Sequence, residues 1–261
     1  MLFDTHAHYF DERFAEITGG AEKLLEDLFA GDIRYIVNAA TTTRDSLKAL
    51  ALAEKFEGCY AAVGVHPENC DEEESVGETV ARLRALLKRP KVVAIGETGL
   101  DYHWQNNPPR EKQKEYFIAQ LDLARETGFP VVVHGRDAHG DVFEILSRYP
   151  DVVCILHSFS GSPETARQYL MNRNRYIGFS GVLTYKNAVQ PVEVAKIVPA
   201  DRMLSETDCP YLTPVPWRGK INHSGYMIET VKKLAEIKQL DLEETKRILT
   251  ENAKRVFRID R

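Results

Sequence analysis

The chain has 261 residues, 43% hydrophobic and 28% charged, with 34 Lys plus Arg against 39 Asp plus Glu and a formal net charge of −5. A β/α barrel needs about 250 residues, so residues 1–261 are expected to form one such domain with a substantial core. The acidic balance argues against a protein that coats nucleic acid electrostatically, but not against one that grips a single phosphate in a pocket.

Leu2 and Phe3 read as the apolar lead-in of a short buried strand that runs into Asp4-Thr5-His6-Ala7-His8. A strand alternates its faces with period two, so His6 and His8 are expected to point the same way, one above the other. Such a pair can grip a divalent cation from one side. A lone His-X-His is more often two histidines hydrogen-bonded in a core, so the argument turns on ligands from other strands.

Residues 12–30 read as helix with a break at Gly19-Gly20, and Leu24, Leu25 and Leu28 share a face. A second strand is expected over 34–40, followed by a helix opening at Thr43. A third, over 60–65, ends in His66-Pro67 and leads through acidic residues 71–74 into a helix with Val80, Leu83, Leu86 and Leu87. The fourth, 91–95, ends in Gly96-Glu97-Thr98-Gly99-Leu100-Asp101, and a long helix over 110–127 closes at Gly128. The fifth, 130–133, ends at His134-Gly135-Arg136-Asp137, and the sixth, 152–156, at His157-Ser158-Phe159-Ser160-Gly161. After a helix near 163–172 come a seventh strand, 176–179, a helix over 187–198, and an eighth strand, 202–205, ending in Glu206-Thr207-Asp208. The stretch 225–257 reads as two helices separated around Leu240-Asp241.

Strands separated by helix-length segments call for parallel pairing, and eight such units close most naturally as a (β/α)8 TIM barrel with an extra C-terminal helix. An open doubly wound sheet is the alternative, but no G-x-G-x-x-G motif supports it.

In a barrel the carboxyl ends of all strands meet at one mouth. His6 and His8 follow strand one, Glu97 strand four, His134 strand five, His157 strand six and Asp208 strand eight. Each alone could cap a turn or a helix; six at the same topological position predict a metal site. A carboxylate can bridge two ions about 3.5–4 Å apart. One division gives His6, His8 and Asp208 to one ion and His134 and His157 to the other, with Glu97 between them. Asp208 could also take a proton from an attacking water, which with Glu97 makes it the catalytic candidate. Glu206 could orient a ligand from behind, or form a structural salt bridge. Four histidines favour zinc or manganese on ligand chemistry.

The strings DTHAH, GVHPEN, AIGETGLDY, VVVHGRDA, ILHSFSG, GFSGVLT and SETDCPYLTP together resemble the TatD family of metal-dependent deoxyribonucleases. The resemblance spans about four-fifths of the chain. It implies a β/α barrel that hydrolyses DNA phosphodiesters, often from the 3′ end, with two divalent ions on His6, His8, Glu97, His134, His157 and Asp208. It admits magnesium as well. The implied partner is DNA, through a single-stranded end, and no obligate protein partner is readable from the sequence. The resemblance also implies His66 near a bound phosphate. His66, Arg136, Ser160 and Lys220 lie on loops expected to rim the mouth, and a donor-rich rim suits a phosphate oxygen. At 221–224 the chain departs from the family's usual Arg-Asn-Glu-Pro: Ile221 replaces a basic residue and His223-Ser224 replace Glu-Pro.

Two other readings stand beside the nuclease: an amidohydrolase acting on a small amide, lactone or amino-substituted ring with the same metal site, and a non-catalytic barrel, disfavoured because no ligand position is substituted. Trp104 and Trp217 could stack on a base, though packing is the commoner use, and His103, His139 and His223 are expected at the surface. The four cysteines, Cys59, Cys70, Cys154 and Cys209, show no paired C-x-x-C spacing and read as reduced thiols. With no signal-peptide pattern after Met1, and no apolar run near the roughly 18 residues of a membrane span, a cytoplasmic location is expected.

Overall fold

The computed structural model describes residues 1–259. Eight strands form one sheet in sequential order, every neighbouring pair parallel: β1 (Leu2–Ala7), β2 (Ile33–Ala39), β3 (Cys59–Val63), β4 (Val92–Asp101), β5 (Val131–Arg136), β6 (Cys154–Leu156), β7 (Arg175–Phe179) and β8 (Met203–Ser205). The sheet closes where Ala7 bridges Cys209, with Asp208 N–H donating to the His6 carbonyl at 2.9 Å and His8 N–H to the Cys209 carbonyl at 2.8 Å. Closure makes a barrel, as the alternation predicts.

The helices are α1 (Gly20–Phe29), α2 (Thr43–Lys55), α3 (Val76–Leu86), α4 (Arg110–Thr127), α5 (His139–Ser147), α6 (Pro163–Leu170), α7 (Val189–Ile197), α8 (Met227–Lys238) and α9 (Leu242–Phe257). Their starts carry side-chain caps at Thr42, Ser75, Ser162 and Asp241, each accepting a backbone N–H of the first turn. The helix expected over 12–30 is two pieces: a 3-10 turn at Glu12–Glu16 that ends at the extended Ile17, then α1 after Gly19, whose φ of 85° suits a glycine.

Two apolar layers result. One lies between strands and helices and includes Leu25, Leu50, Leu83, Phe117 and Leu121. The other fills the barrel from its amino end, with Phe3, Val37, Val132, Ile155 and Leu204 beneath Val256 and Phe257 of α9. The extra C-terminal helix is therefore the floor of the barrel, and the Phe257 ring stacks on Phe3 at 5.8 Å. Among the described residues no helix is long and apolar enough to cross a membrane.

Two strands depart from regular pairing where the mouth chemistry sits. The β1–β2 ladder shifts register between Asp4 and Ala7, at His6, and the β4–β5 ladder between Ile95 and Thr98, at Glu97. Such irregularities re-aim a side chain out of strict alternation. Beta4 also runs to Asp101 rather than ending near 95, so Glu97 stands inside a strand. A side chain at Gly99 (φ 142°) would meet the His134 carbonyl oxygen at 2.0 Å. Glycine there lets β5 lie close enough to bring His134 to Glu97.

Candidate metal centre

Four ligand-type atoms converge at the mouth. His6 Nε2 lies 3.1 Å from His8 Nε2, 3.1 Å from Glu97 Oε2 and 3.5 Å from Asp208 Oδ1. His8 Nε2 is 3.1 Å from Asp208 Oδ1 and 3.8 Å from Glu97 Oε2. Ligands about 2.0–2.1 Å from a tetrahedral ion stand about 3.4 Å from one another, the edge these distances describe. His8 Nδ1 is 2.7 Å from the Ala39 carbonyl and must donate its hydrogen there, so the neutral ring turns a bare lone pair on Nε2 inward. Lone pairs and carboxylate oxygens facing one point are a cation's environment, and the donor set fits a divalent metal. The His6 and His8 rings meet edge-on at 76° rather than one above the other, because His8 lies beyond the end of β1.

The other oxygen of Glu97 serves a second group. Oε1 is 2.9 Å from His134 Nδ1, 3.4 Å from His157 Nε2 and 3.5 Å from His66 Nε2. One buried carboxylate thus faces His6 and His8 with one oxygen and His134, His157 and His66 with the other. His66, expected on the rim, is buried beside the cluster. Its Nδ1 accepts the Glu68 N–H at 3.2 Å, so the neutral ring carries its proton on Nε2 and offers a donor.

Behind the cluster stand carboxylates. Glu206 accepts from His157 Nδ1 at 3.0 Å, and Asp101 from His134 Nε2 at 2.8 Å. Sequence reasoning missed Asp101: four residues after Glu97 it reads as loop, whereas it is the last residue of β4 and 1% exposed. It also missed Asp4, whose carboxylate takes the Thr207 N–H and hydroxyl at 3.0 and 2.6 Å and the Ser224 hydroxyl at 2.7 Å. Burial pushes the Asp4 carboxyl up to about 6 against those hydrogen bonds. Ser224, in the stretch that departs from the family pattern, is thereby part of the clasp under the mouth, and Ile221 packs half-buried on the core.

Electrostatically the cluster is a set of carboxylates held by imidazoles. Burial works against the charge of Glu97, but His157, His6 and His66 hold it well below the usual carboxylate range. Asp208 is likewise lowered, burial being outweighed by His157, His8 and His6. Burial also opposes charge on His157 and His134, yet Glu97, Glu206 and Asp208 raise the first to about 10, and Asp101 and Glu97 the second to about 9. His6 moves down instead, through burial and its neighbour His157, whose ring stacks on it at 3.8 Å.

The rim residues are placed unequally. Arg136 and Ser160 line a cavity beside His134, His157 and Asp208. Lys220 is exposed, its ammonium 4.8 Å from the Trp217 ring centroid and away from that cavity. Trp217 stacks on Tyr226 at 4.8 Å, whereas Trp104 is 50% exposed beneath the Arg136 guanidinium. Of the three histidines expected at the surface, His103 is exposed and paired with Asp137, but His139 and His223 are half-buried. His139 contacts the Ser160 hydroxyl at 3.1 Å, and His223 Nδ1 accepts the Gly225 N–H at 3.2 Å.

Residues 3–258 match the model of the family described as TatD related DNase. The chain belongs to that family. It is 43% identical to a Bacillus subtilis (strain 168) protein described as an uncharacterized metal-dependent hydrolase, YabD, over the whole of both chains. Identity to a similarly described Escherichia coli (strain K12) protein, YcfH, is 36%, over 100% of this chain and 97% of that one. The crystal structure of YJJV, a TatD homolog from Escherichia coli K12, superposes with a TM-score of 0.90 at 28% identity, covering 99% of this chain and 98% of that one. As a TatD-family member the chain is a metal-dependent hydrolase whose candidate metal sites are the His, Glu and Asp groups described above.

Proposed function

We propose that this TatD-family chain hydrolyses DNA phosphodiester bonds from a single-stranded 3′ end, using two divalent ions held by His6, His8, Glu97, His134, His157 and Asp208. The observation that carries this reading is the division of Glu97, one oxygen toward His6 and His8 and the other toward His134 and His157. Bound there, zinc, manganese or magnesium would polarise a phosphoryl oxygen and make water a nucleophile near neutral pH.

The chain's own groups supply the rest. Asp208 reaches the cavity wall and is held in its ionised form, so its carboxylate accepts the proton of the attacking water. Its φ of 58°, a left-handed backbone conformation that aspartate adopts more readily than most residues, holds that carboxylate against His6 and His8. Glu206 and Asp101 fix the rings of His157 and His134 from behind. Arg136 and the Nε2–H of His66 present donors to the phosphate oxygens, while Ser160 and, farther out, Lys220 meet the incoming strand.

A second reading, a small-molecule amidohydrolase on the same centre, draws on the apolar wall of the adjoining cavity. One experiment separates the two: 3′- and 5′-labelled single-stranded oligonucleotides with Mg2+, Mn2+, Zn2+ or chelator, beside His134→Ala and Asp208→Ala. Mononucleotides lost in order from the 3′ end, only with metal and only with the intact centre, are expected. A metal-loaded wild-type protein that cleaves no more than the variants would sink the nuclease reading.

A further inference from the structure

Both ends of β8, a strand of only three residues, are gripped by the side-chain amide of a buried asparagine. At its start, Asn252 of α9 donates from Nδ2 to the Ala200 and Met203 carbonyls at 2.7 and 2.9 Å. Beyond its end, Asn222 donates from Nδ2 to the Thr207 and Tyr211 carbonyls at 3.0 and 2.6 Å. The same chemistry thus recurs at opposite ends of one strand, and only the second amide stands beside the metal centre.

The turn that Asn222 spans contains Asp208. The backbone is left-handed at Asp208 (φ 58°), with the Asp208 N–H on the His6 carbonyl and the Tyr211 N–H on the Asp208 carbonyl, each at 2.9 Å. The carbonyls on either side of this bend turn toward Asn222, which is 0% exposed, and a carbonyl facing a buried side chain needs a donor there. One NH2 group answers both. The Asn222 Oδ1 accepts the His223 N–H at 2.9 Å, and the Asn222 N–H donates to the Pro210 carbonyl at 3.1 Å, so the amide is held at each of its corners. A flipped amide would set its oxygen against two carbonyls and its NH2 against an N–H. Leucine would fill the space without a donor, and aspartate would turn a carboxylate on both carbonyls. With the turn tied across its base, Asp208 Oδ1 lies 3.1 Å from His8 Nε2 and 3.5 Å from His6 Nε2.

We propose that Asn222 is the positioning residue of Asp208: its amide holds the turn after β8 so that the Asp208 carboxylate meets an ion shared with His6 and His8. Asn222 itself touches neither ion nor substrate. The role rests on the reading of Asp208 as a metal ligand and proton acceptor, and adds to it the group that sets where that carboxylate stands.

Metal binding tests it without turnover. The full chain, stripped with chelator, is titrated with Co2+ as wild type, Asn222→Ala, Asn252→Ala and Asp208→Ala. Affinity and the visible absorption of the bound ion are read beside urea stability. Each asparagine variant loses two amide–carbonyl bonds, so the two should be destabilised alike. Only Asn222→Ala should bind Co2+ about tenfold or more weaker, with its absorption moved toward that of Asp208→Ala. Asn252→Ala should keep wild-type absorption and an affinity within about twofold. Where Asn222→Ala does not fold, Asn222→Ser, whose hydroxyl can keep one of the two bonds, should lose affinity by about threefold or more. A folded Asn222 variant that binds Co2+ as the wild type does, or equal losses in the two asparagine variants, would overturn the assignment. The Asp208→Ala arm tells the two failures apart. Unchanged affinity and absorption there would sink Asp208 as a ligand and the role of Asn222 with it, whereas a change there without one in Asn222→Ala would sink the role of Asn222 alone.

Discussion

At the scale of single residues, the candidate centre depends on groups that never face the substrate. Asp101 fixes His134, and an unsupported imidazole would lose both its tautomer and its orientation. Asp101→Asn should therefore lower affinity for Mn2+ by about 10–100-fold with the fold intact, as metal titration and circular dichroism would read; an unchanged affinity would remove Asp101 from the support of the centre. His223 makes a pH prediction. Burial holds its imidazole down at about 4, below the ordinary 6.5, and its bare Nδ1 accepts the Gly225 N–H. The folded state thus prefers the neutral ring. Its contribution is fully present above pH 6.5 and is lost as the pH falls toward 4, on the order of 1–2 kcal/mol. His223→Asn, which keeps an acceptor without titrating, should flatten the dependence of urea stability over that window; a slope identical to the wild type would refute this.

At the scale of elements, irregular strands do the aiming. His6 and Glu97 both sit where a ladder shifts register, and the close approach at Gly99 brings β5 to β4. Periodicity alone could not have shown this, because strict alternation carries no mark of a bulge. Asp4 ties β1 to the segment after β8 and to Ser224, so Asp4→Ala should cost about 3–5 kcal/mol by stranding buried donors and should loosen the centre as well. The floor is expected to behave differently. Phe257 on α9 stacks on Phe3 at the opposite end of the barrel. Phe257→Ala should lower stability by about 3–5 kcal/mol while leaving metal affinity within about twofold, measured by urea denaturation and metal titration. A large change in affinity would mean that the two ends of the barrel are coupled.

At the scale of the whole molecule, the proposed nuclease reading makes the net charge of −5 and a mouth with few cations the terms on which DNA would be held. With Arg136 and His66 as the near contacts, about one or two phosphates are neutralised, so log affinity should fall with log salt at a slope of about −1 to −2. Catalytic efficiency should level off after a few nucleotides of substrate length. A slope steeper than about −4, or efficiency that keeps climbing with length, would require a long cationic track.

Much of this architecture was legible before folding. Apolar runs alternating with helix-length segments determined a parallel barrel, and ligand-type residues after strands one, four, five, six and eight pointed to a candidate metal site, because a closed parallel sheet brings all those ends together. Tertiary structure alone decided how the two oxygens of Glu97 are divided, that His66 lies beside the cluster, that Asp101 and Asp4 stand behind it, and that loops after three strands enclose a half-apolar cavity. The reason is physical. Periodicity reports which face of one element is buried, whereas a carboxylate's partner or a cavity's wall depends on atoms brought together from elements far apart in the chain, and no local pattern records them.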